Sequence, residues 1–313
     1  MFDVVALGES LIDFTPNGTN AQGIELFARN PGGAPANVLA MNARLGGKTA
    51  FIGKVGKDGF GDFLRQTLVE SSIDVSGLVI DEKIPTTLAF VQLDSKGDRS
   101  FTFYRNPGAD VMLTSAEVNR NLIDDAAIFH FGSVSLTSDP SRTATLEAAR
   151  YARQQGKLIS FDPNVRLPLW DDKDALRDVI LEFMPYAHVL KISDEELEFI
   201  TGYTNIEDAA DVLFRGNVRL VVFTKGSAGA ECLTRQCRAA VSSRKVKAVD
   251  TTGAGDGFIG SFLYQLFADG VTVHGLDELT PEQMEKYMTF SNRFCEYSVF
   301  GNGAIASYPD MEQ

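Results

Sequence analysis

Strand-like and helix-like stretches alternate along most of this chain, and that alternation restricts its fold more than any other feature. Apolar runs at 3–8, 49–54, 127–131, 157–161, 188–191 and 219–224 read as strands. Stretches near 34–45, 59–71, 140–155, 172–184, 194–201 and 206–214 read as helices between them. Repeated βαβ units imply a mostly parallel sheet covered by helices on both faces, an α/β fold. The length of 313 residues fits one large α/β domain with an appendage, or two domains.

Two regions break the rhythm. Residues 14–30 and 86–105 hold strand-like runs with no helix between them, including Thr87 to Leu93 and Arg99 to Tyr104. Asp94-Ser95-Lys96-Gly97-Asp98 between those two runs is a turn signal. The two insertions predict a small antiparallel sheet that projects as a lid over the carboxyl ends of the parallel strands, where open α/β sheets bind ligands.

The densest chemistry lies in Asp250-Thr251-Thr252-Gly253-Ala254-Gly255-Asp256-Gly257-Phe258. Gly253-Ala254-Gly255 has no bulk to hold a ligand off the backbone, and an apolar helical run follows to about Ala268. N–H groups at a helix start make an anion site. Asp256 beside such a cradle repels phosphate unless it has a task, and the natural task is to take the proton of an attacking hydroxyl. A plain N-capping aspartate after a glycine turn is the rival reading.

Other motifs sit at strand ends. Asp13 closes Gly8-Glu9-Ser10-Leu11-Ile12-Asp13 and can accept bonds from two sugar hydroxyls, or serve as a turn aspartate. In Pro31-Gly32-Gly33-Ala34-Pro35-Ala36-Asn37, two glycines precede a helix with Pro35 in its first turn, and Asn37 offers a donor and an acceptor. Paired with Asp13, this motif predicts a polyol site. Pro163 stops a strand, so Asn164 and Arg166 project from its end; Arg166 suits a phosphate or carboxylate. Ser193 and Glu196 match a capping box, while a carboxylate at that edge can instead hold a hydrated Mg²⁺. Thr224-Lys225-Gly226-Ser227-Ala228-Gly229 offers glycines, a hydroxyl and a cation to nucleotide phosphates, and is otherwise a hairpin-like turn.

Composition narrows the classes. A net charge of −13 argues against a nucleic-acid partner. No apolar run approaches the roughly 20 residues of a membrane span, and no signal peptide is visible. Cys232, Cys237 and Cys295 form neither a disulfide framework nor a zinc knuckle, which points to a reducing cytoplasm. His130, His188 and His274 are too few for a triad or a histidine metal site, and the first two read as core residues. The first βα turn lacks Gly-x-Gly-x-x-Gly, which argues against a nicotinamide dehydrogenase.

The order and spacing of Gly32-Gly33, Thr224-x-Gly226-x-x-Gly229 and Asp250 to Asp256 resemble the ribokinase/PfkB family of carbohydrate kinases over essentially the whole chain. Gly8 to Phe14, Gly32 to Val38, Arg99 to Arg105, and Asp162 to Arg166 with Trp170 are most similar to fructokinases. The resemblance implies one ribokinase-like domain: a three-layer α/β/α sandwich with a β-sheet lid. It implies ATP as donor, Mg²⁺ and a monovalent cation, usually K⁺. It makes Asp256 the base, and Gly253, Ala254, Gly255 and the Asp256 N–H the anion hole. Asp13, Gly32, Gly33, Asn37 and Phe101 fall at sugar positions. Asn164, Lys191, Thr224, Gly226, Gly229 and Asn292 fall on the nucleotide side, with Asn292 at the adenine. Asp250, Thr252, Ser298, Gly303 and Ser307 fall at the monovalent cation, and Glu196 at Mg²⁺ through water. Ser193 replaces the asparagine of the family's Asn-x-x-Glu motif, a departure that strengthens the capping-box reading.

D-Fructose, phosphorylated on a primary hydroxyl, is the expected acceptor. The alternatives are an aminoimidazole riboside, or 2-keto-3-deoxygluconate with its carboxylate on Arg105 and Arg166. The loop after Asp13 has no basic cluster for a phosphosugar. A non-catalytic sugar or nucleotide sensor on the same fold is the rival of another class, and a homodimer through the lid is compatible with the pattern.

Overall fold

The computed structural model describes residues 1–93 and 99–309, with the side chains of residues 93, 99 and 100 outside that description. The turn expected over 94–98 lies outside the described residues. In chain order the elements are β1 (Phe2–Leu7), β2 (Leu11–Thr19), β3 (Glu25–Gly32), α1 (Ala34–Arg44), β4 (Thr49–Gly56), α2 (Gly59–Glu70), β5 (Ile73–Asp81), β6 (Leu88–Leu93) and β7 (Arg99–Tyr104). They continue as α3 (Arg120–Asp124), β8 (Ala126–Gly132), α4 (Ser141–Gln154), β9 (Leu158–Asp162), α5 (Lys173–Phe183), β10 (Val189–Ser193), α6 (Asp194–Thr201) and α7 (Ala210–Leu213). The last are β11 (Leu220–Thr224), β12 (Ala230–Leu233), β13 (Arg238–Val241), α8 (Ala254–Ala268) and α9 (Pro281–Ser298).

Nine strands form one sheet in the order β13-β12-β11-β10-β9-β8-β1-β4-β5. The pairs from β11 through to β5 are parallel, and β12 and β13 turn back antiparallel. Alternating side chains feed two cores, as the period of a strand requires. Val5 and Leu7 of β1 join the core under α4, α5 and α6, while Val4 and Ala6 join the one under α1, α8 and α9. This is a three-layer α/β/α arrangement. Strand order reverses at β1, which sits between β4 and β8, so a crevice opens at the carboxyl ends of β1, β8 and β9.

A separate four-stranded sheet, ordered β3-β2-β6-β7, is built from the two segments that lacked helices. Its two faces differ. Asp13 lies opposite Asn30 and Ala89, and Val91 opposite Phe101, so Asp13 and Phe101 share one face. On the other face Phe14 stacks on Phe90, which meets Phe27 and Tyr104 edge-on.

Some expectations need amending. Of the helix expected at 206–214, only Ala210–Leu213 is helical. Strand β5 and helix α9 have no counterpart in the sequence reading. β5 (IDVSGLVID) is a sheet edge carrying Ser76 and Gly77, which weakens its apolar pattern. α9 is rich in polar residues, although Thr280 and Gln283 form a capping box that marks its start.

Candidate active site

Helix α8 begins at the crevice. Gly253 takes a left-handed conformation (φ 75°, ψ 2°), and a Cβ there would lie 2.3 Å from Cβ of Ala304. Only glycine fits that turn. Asp250 knits the loop ahead of it: its carboxylate accepts from Thr252 N and Oγ1 at 2.9 and 2.7 Å and from Gly303 N at 2.9 Å. A Cβ on Gly301 would lie 2.8 Å from Cβ of Ser307 and 3.8 Å from the Ser298 carbonyl. Asp250, Thr252, Gly303 and Ser307 thus lie on segments that meet beside Gly253, next to Ser298 at the end of α9.

Asp256 is buried in that turn, 7% exposed. Asn37 of α1 donates its amide to Oδ2 at 2.8 Å, and Asn164 donates to Oδ1 at 3.2 Å. Burial pushes the Asp256 carboxyl up from its ordinary range, and the Asn37 bond with the charges of Lys191 and Arg166 pulls it back. Both amides favour the ionised form. The Asn37 Oδ1 is buried and has no partner, so it is an acceptor available to a hydroxyl at the same spot. Asn164 thus stands directly beside Asp256. Its φ is positive at 46°, a conformation asparagine tolerates better than most non-glycine residues, and its N–H bonds to Asp162 Oδ1 at 3.1 Å.

Asp13 is the third residue of β2, at the root of the small sheet rather than in a turn. A Cβ on Gly32 would lie 2.2 Å from Asp13 Oδ2, so this glycine makes room for the carboxylate. Gly33, with φ 114°, has Glu9 O only 2.3 Å from where its Cβ would stand. Burial pushes the Asp13 carboxyl up to about 6, with Arg166 opposing and Asp256 adding to the rise. Arg166 is partly exposed, gives one bond to the Val165 carbonyl at 3.1 Å, and turns its charge toward both aspartates.

Arg105 is placed elsewhere. Its Nε and Nη2 hold Asp110 Oδ2 at 2.9 and 2.6 Å, Nη1 holds Thr137 and Nη2 the Val134 carbonyl. The guanidinium fork is filled by protein, so Arg105 is a structural clamp and not an open carboxylate receptor.

Lys191, near the end of β10 and 6% exposed, lies 3.1 Å from Asp162. Burial alone pulls its pKa down, but Asp162, Glu196 and Asp256 outweigh that and raise it, so it stays charged. Its Nζ is 3.2 Å from where a Cβ on Gly255 would stand, against the first turn of α8. Glu196 completes the capping box: Oε2 accepts from Ser193 N at 2.9 Å and Oγ at 3.0 Å, and Oε1 accepts from Val165 N at 2.7 Å. Burial pushes Glu196 up, but Lys191 and these bonds leave it lowered overall.

On the neighbouring strand Thr224 pairs in register with Ser193, and Gly226 and Gly229 follow with φ of 50° and 103°. Lys225 is ion-paired to Glu231. A groove of about 1120 Å³ runs along α9, with Asn292, Phe290, Tyr297 and Arg244 in its walls. The Asn292 Nδ2 is buried without a partner. Sequence reasoning gave no role to Asp162, to Tyr308, or to Glu9, whose Oε1 accepts the Ala34 N–H at 2.9 Å. Asp162 had a readable signal, an aspartate at a strand end ahead of proline; Tyr308 had none.

A buried carboxylate that accepts from two amides, beside a helix start and under polyol-type acceptors, defines a phosphotransferase acting on a hydroxyl of a small molecule. Residues 1–311 match the pfkB family of carbohydrate kinases, and the chain belongs to that family. It is 42% identical over 309 residues to fructokinase-1 of Oryza sativa subsp. japonica, covering 98% of this chain and 94% of the relative. Among solved structures it is similar to the ATP-bound fructokinase of Xylella fastidiosa (TM-score 0.92, 31% identity, 100% and 97% of the two chains). It is also similar to a double mutant of the Vibrio cholerae O395 fructokinase with fructose, ADP and potassium ion bound (TM-score 0.86, 33% identity, 99% and 96%).

Proposed function

We propose that the protein is an ATP-dependent fructokinase that transfers the γ-phosphoryl group to a primary hydroxyl of D-fructose. The observation that carries the reading is Asp256 between Asn37 and Asn164, 2.8 and 3.2 Å away, at the open start of α8. Asp13 and the Asn37 Oδ1 orient the sugar, and Phe101 covers it from the shared face of the small sheet, which acts as lid. Asp256 takes the hydroxyl proton as the hydroxyl oxygen attacks. The N–H groups of Gly255 and Asp256, with Lys191 beside them, meet the charge on the transferring group. The nucleotide lies across Thr224, Gly226 and Gly229, with its base in the α9 groove against Asn292.

Mg²⁺ accompanies ATP in this reading. Among the described residues no group of three acidic, histidine or cysteine side chains gathers to hold a metal. That fits an ion carried mainly by phosphates and water, with Glu196 contacting it through water. Its chemistry would be neutralisation of phosphate charge. A monovalent cation, K⁺, fits the oxygen donors around Asp250, Thr252, Ser298, Gly303 and Ser307.

The filled fork of Arg105 weighs against 2-keto-3-deoxygluconate. ADP release measured over fructose, an aminoimidazole riboside and the keto-acid tests the proposal. Fructose should dominate; riboside-dominated turnover transfers the reading to that substrate, and binding without turnover replaces it with a sensor. A homodimer through the lid is supported by Phe27 and Tyr104 on its outer face, 38% and 64% exposed, and is tested by sedimentation. A cytoplasmic location is supported by three unpaired cysteines and tested by fractionation.

The acid limb of activity should reflect Asp13 and Asp256. Both act as carboxylates, and burial makes both hold their protons to higher pH than free aspartate. Lowering pH through about 6 protonates Asp13, and Asp256 also holds its proton above the ordinary aspartate range, so kcat/KM for fructose should fall as pH drops through that window. A profile flat down to about pH 5 contradicts this.

A further inference from the structure

We infer that Tyr308 is a positioning residue for the phosphate cradle, pinning the backbone of α8's first turn in its receptive orientation. This rests on the kinase reading above. The phenol is 3% exposed and its hydroxyl donates to the Gly253 carbonyl at 2.8 Å. The same carbonyl accepts the Gly257 N–H at 2.8 Å. A carbonyl oxygen has two lone pairs, and here both are filled. The ring packs close to the glycines of the turn: a Cβ on Gly257 would stand 3.1 Å from Tyr308 Cε1, and one on Gly253 would stand 2.9 Å from the hydroxyl.

The need for a pin follows from Gly253 itself. The glycine that lets phosphate reach the backbone also leaves its flanking peptides little steric resistance to rotation. The Gly253–Ala254 peptide is rigid and planar, so holding its C=O toward Tyr308 turns the Ala254 N–H to the opposite side. Among the described residues that N–H bonds to the Thr251 carbonyl at 3.2 Å, and the Gly255 and Asp256 N–H groups follow it in the same first turn of α8. The next carbonyl is held in the same way, since Cys295 of α9 donates its thiol to Ala254 O at 3.1 Å. Burial keeps the Tyr308 hydroxyl protonated, well above the ordinary tyrosine range, so it remains a donor throughout the working pH range. Tyr308 follows directly on the loop that Asp250 ties to Thr252 through Gly303, so the C-terminal segment both floors the cradle and holds its first peptide.

A cradle fixed before reaction serves the transition state more than the ground state. Tyr308→Phe keeps the ring and removes only the hydroxyl. It should lower kcat about five- to thirtyfold, less than loss of a whole cradle donor, with fructose KM changed less than about twofold. Affinity for ADP with aluminium fluoride in the presence of fructose should weaken by the same factor, and affinity for ADP alone should hold. Cys295→Ala, which removes the neighbouring pin without altering the Tyr308 ring, should show the same split at smaller size. Unchanged kcat in Tyr308→Phe, or a loss confined to KM, overturns the inference. If Tyr308→Phe does not fold, an unchanged kcat in Cys295→Ala overturns it. Absence of fructose turnover in the wild-type protein overturns the kinase reading instead.

Discussion

Asp256→Asn is expected to lower kcat by about 10²–10⁴-fold while fructose and ATP still bind. The substitution keeps the shape of the side chain and an oxygen for the Asn37 amide, 2.8 Å away, but removes the ability to accept a proton. Stopped turnover with intact calorimetric binding of both substrates is the expected pair of results; near-wild-type turnover excludes Asp256 as the base. Stability should move the other way. Burial raises the folded pKa of Asp256 above its ordinary 3.8, so the folded state binds this proton more tightly than the unfolded chain. The ionised group therefore costs stability as pH rises through that window, and at neutral pH the Asn variant should melt at the same or a higher temperature.

Lys191→Met is expected to cost about 3–5 kcal/mol of folding stability and most of the activity. Lys191 sits in a central strand, 3.1 Å from Asp162, with Glu196 and Asp256 also within its field. Removing it leaves carboxylates buried without their cation and raises the proton affinity of the base. The double variant Lys191→Met with Asp162→Asn removes the uncompensated charge as well, so denaturant unfolding should recover most of the lost stability. Turnover should stay low, because the cation beside Gly255 is still missing. Full recovery of turnover would make Lys191 a purely structural ion, and unchanged stability in the single variant would show that the pair contributes nothing to the fold.

Local signals proved legible wherever one segment supplied the whole cause. Glycine and proline mark the start of α1, glycine marks the start of α8, and Ser193 with Glu196 forms the capping box its spacing predicts. Side chains whose partners come from distant segments were misread or passed over. Arg105 looked available for a carboxylate because nothing in its own segment shows that Thr137 and Val134 fill its fork. The amide of Asn164 meets a carboxylate 92 positions away, a partner its own segment does not show. Helix α9 and strand β5 escaped because their apolar faces are narrow and take meaning only against the sheet and helices they cover.

The order of apolar runs, glycines and turn residues by itself determined a mostly parallel α/β sheet, a second small sheet and a helix that opens on a phosphate-sized cradle. Periodicity and backbone freedom are properties of neighbouring residues, so they can be read along the chain. Tertiary structure alone decided which charges are paired, which amides flank Asp256 and which tyrosine holds the cradle. Those outcomes depend on burial and on contacts between segments as far apart as Asn37 and Asp256, 219 positions along the chain. Desolvation and hydrogen-bond geometry, which set Asp256 between two amides and make Asp250 a loop tie, exist only once those segments have met.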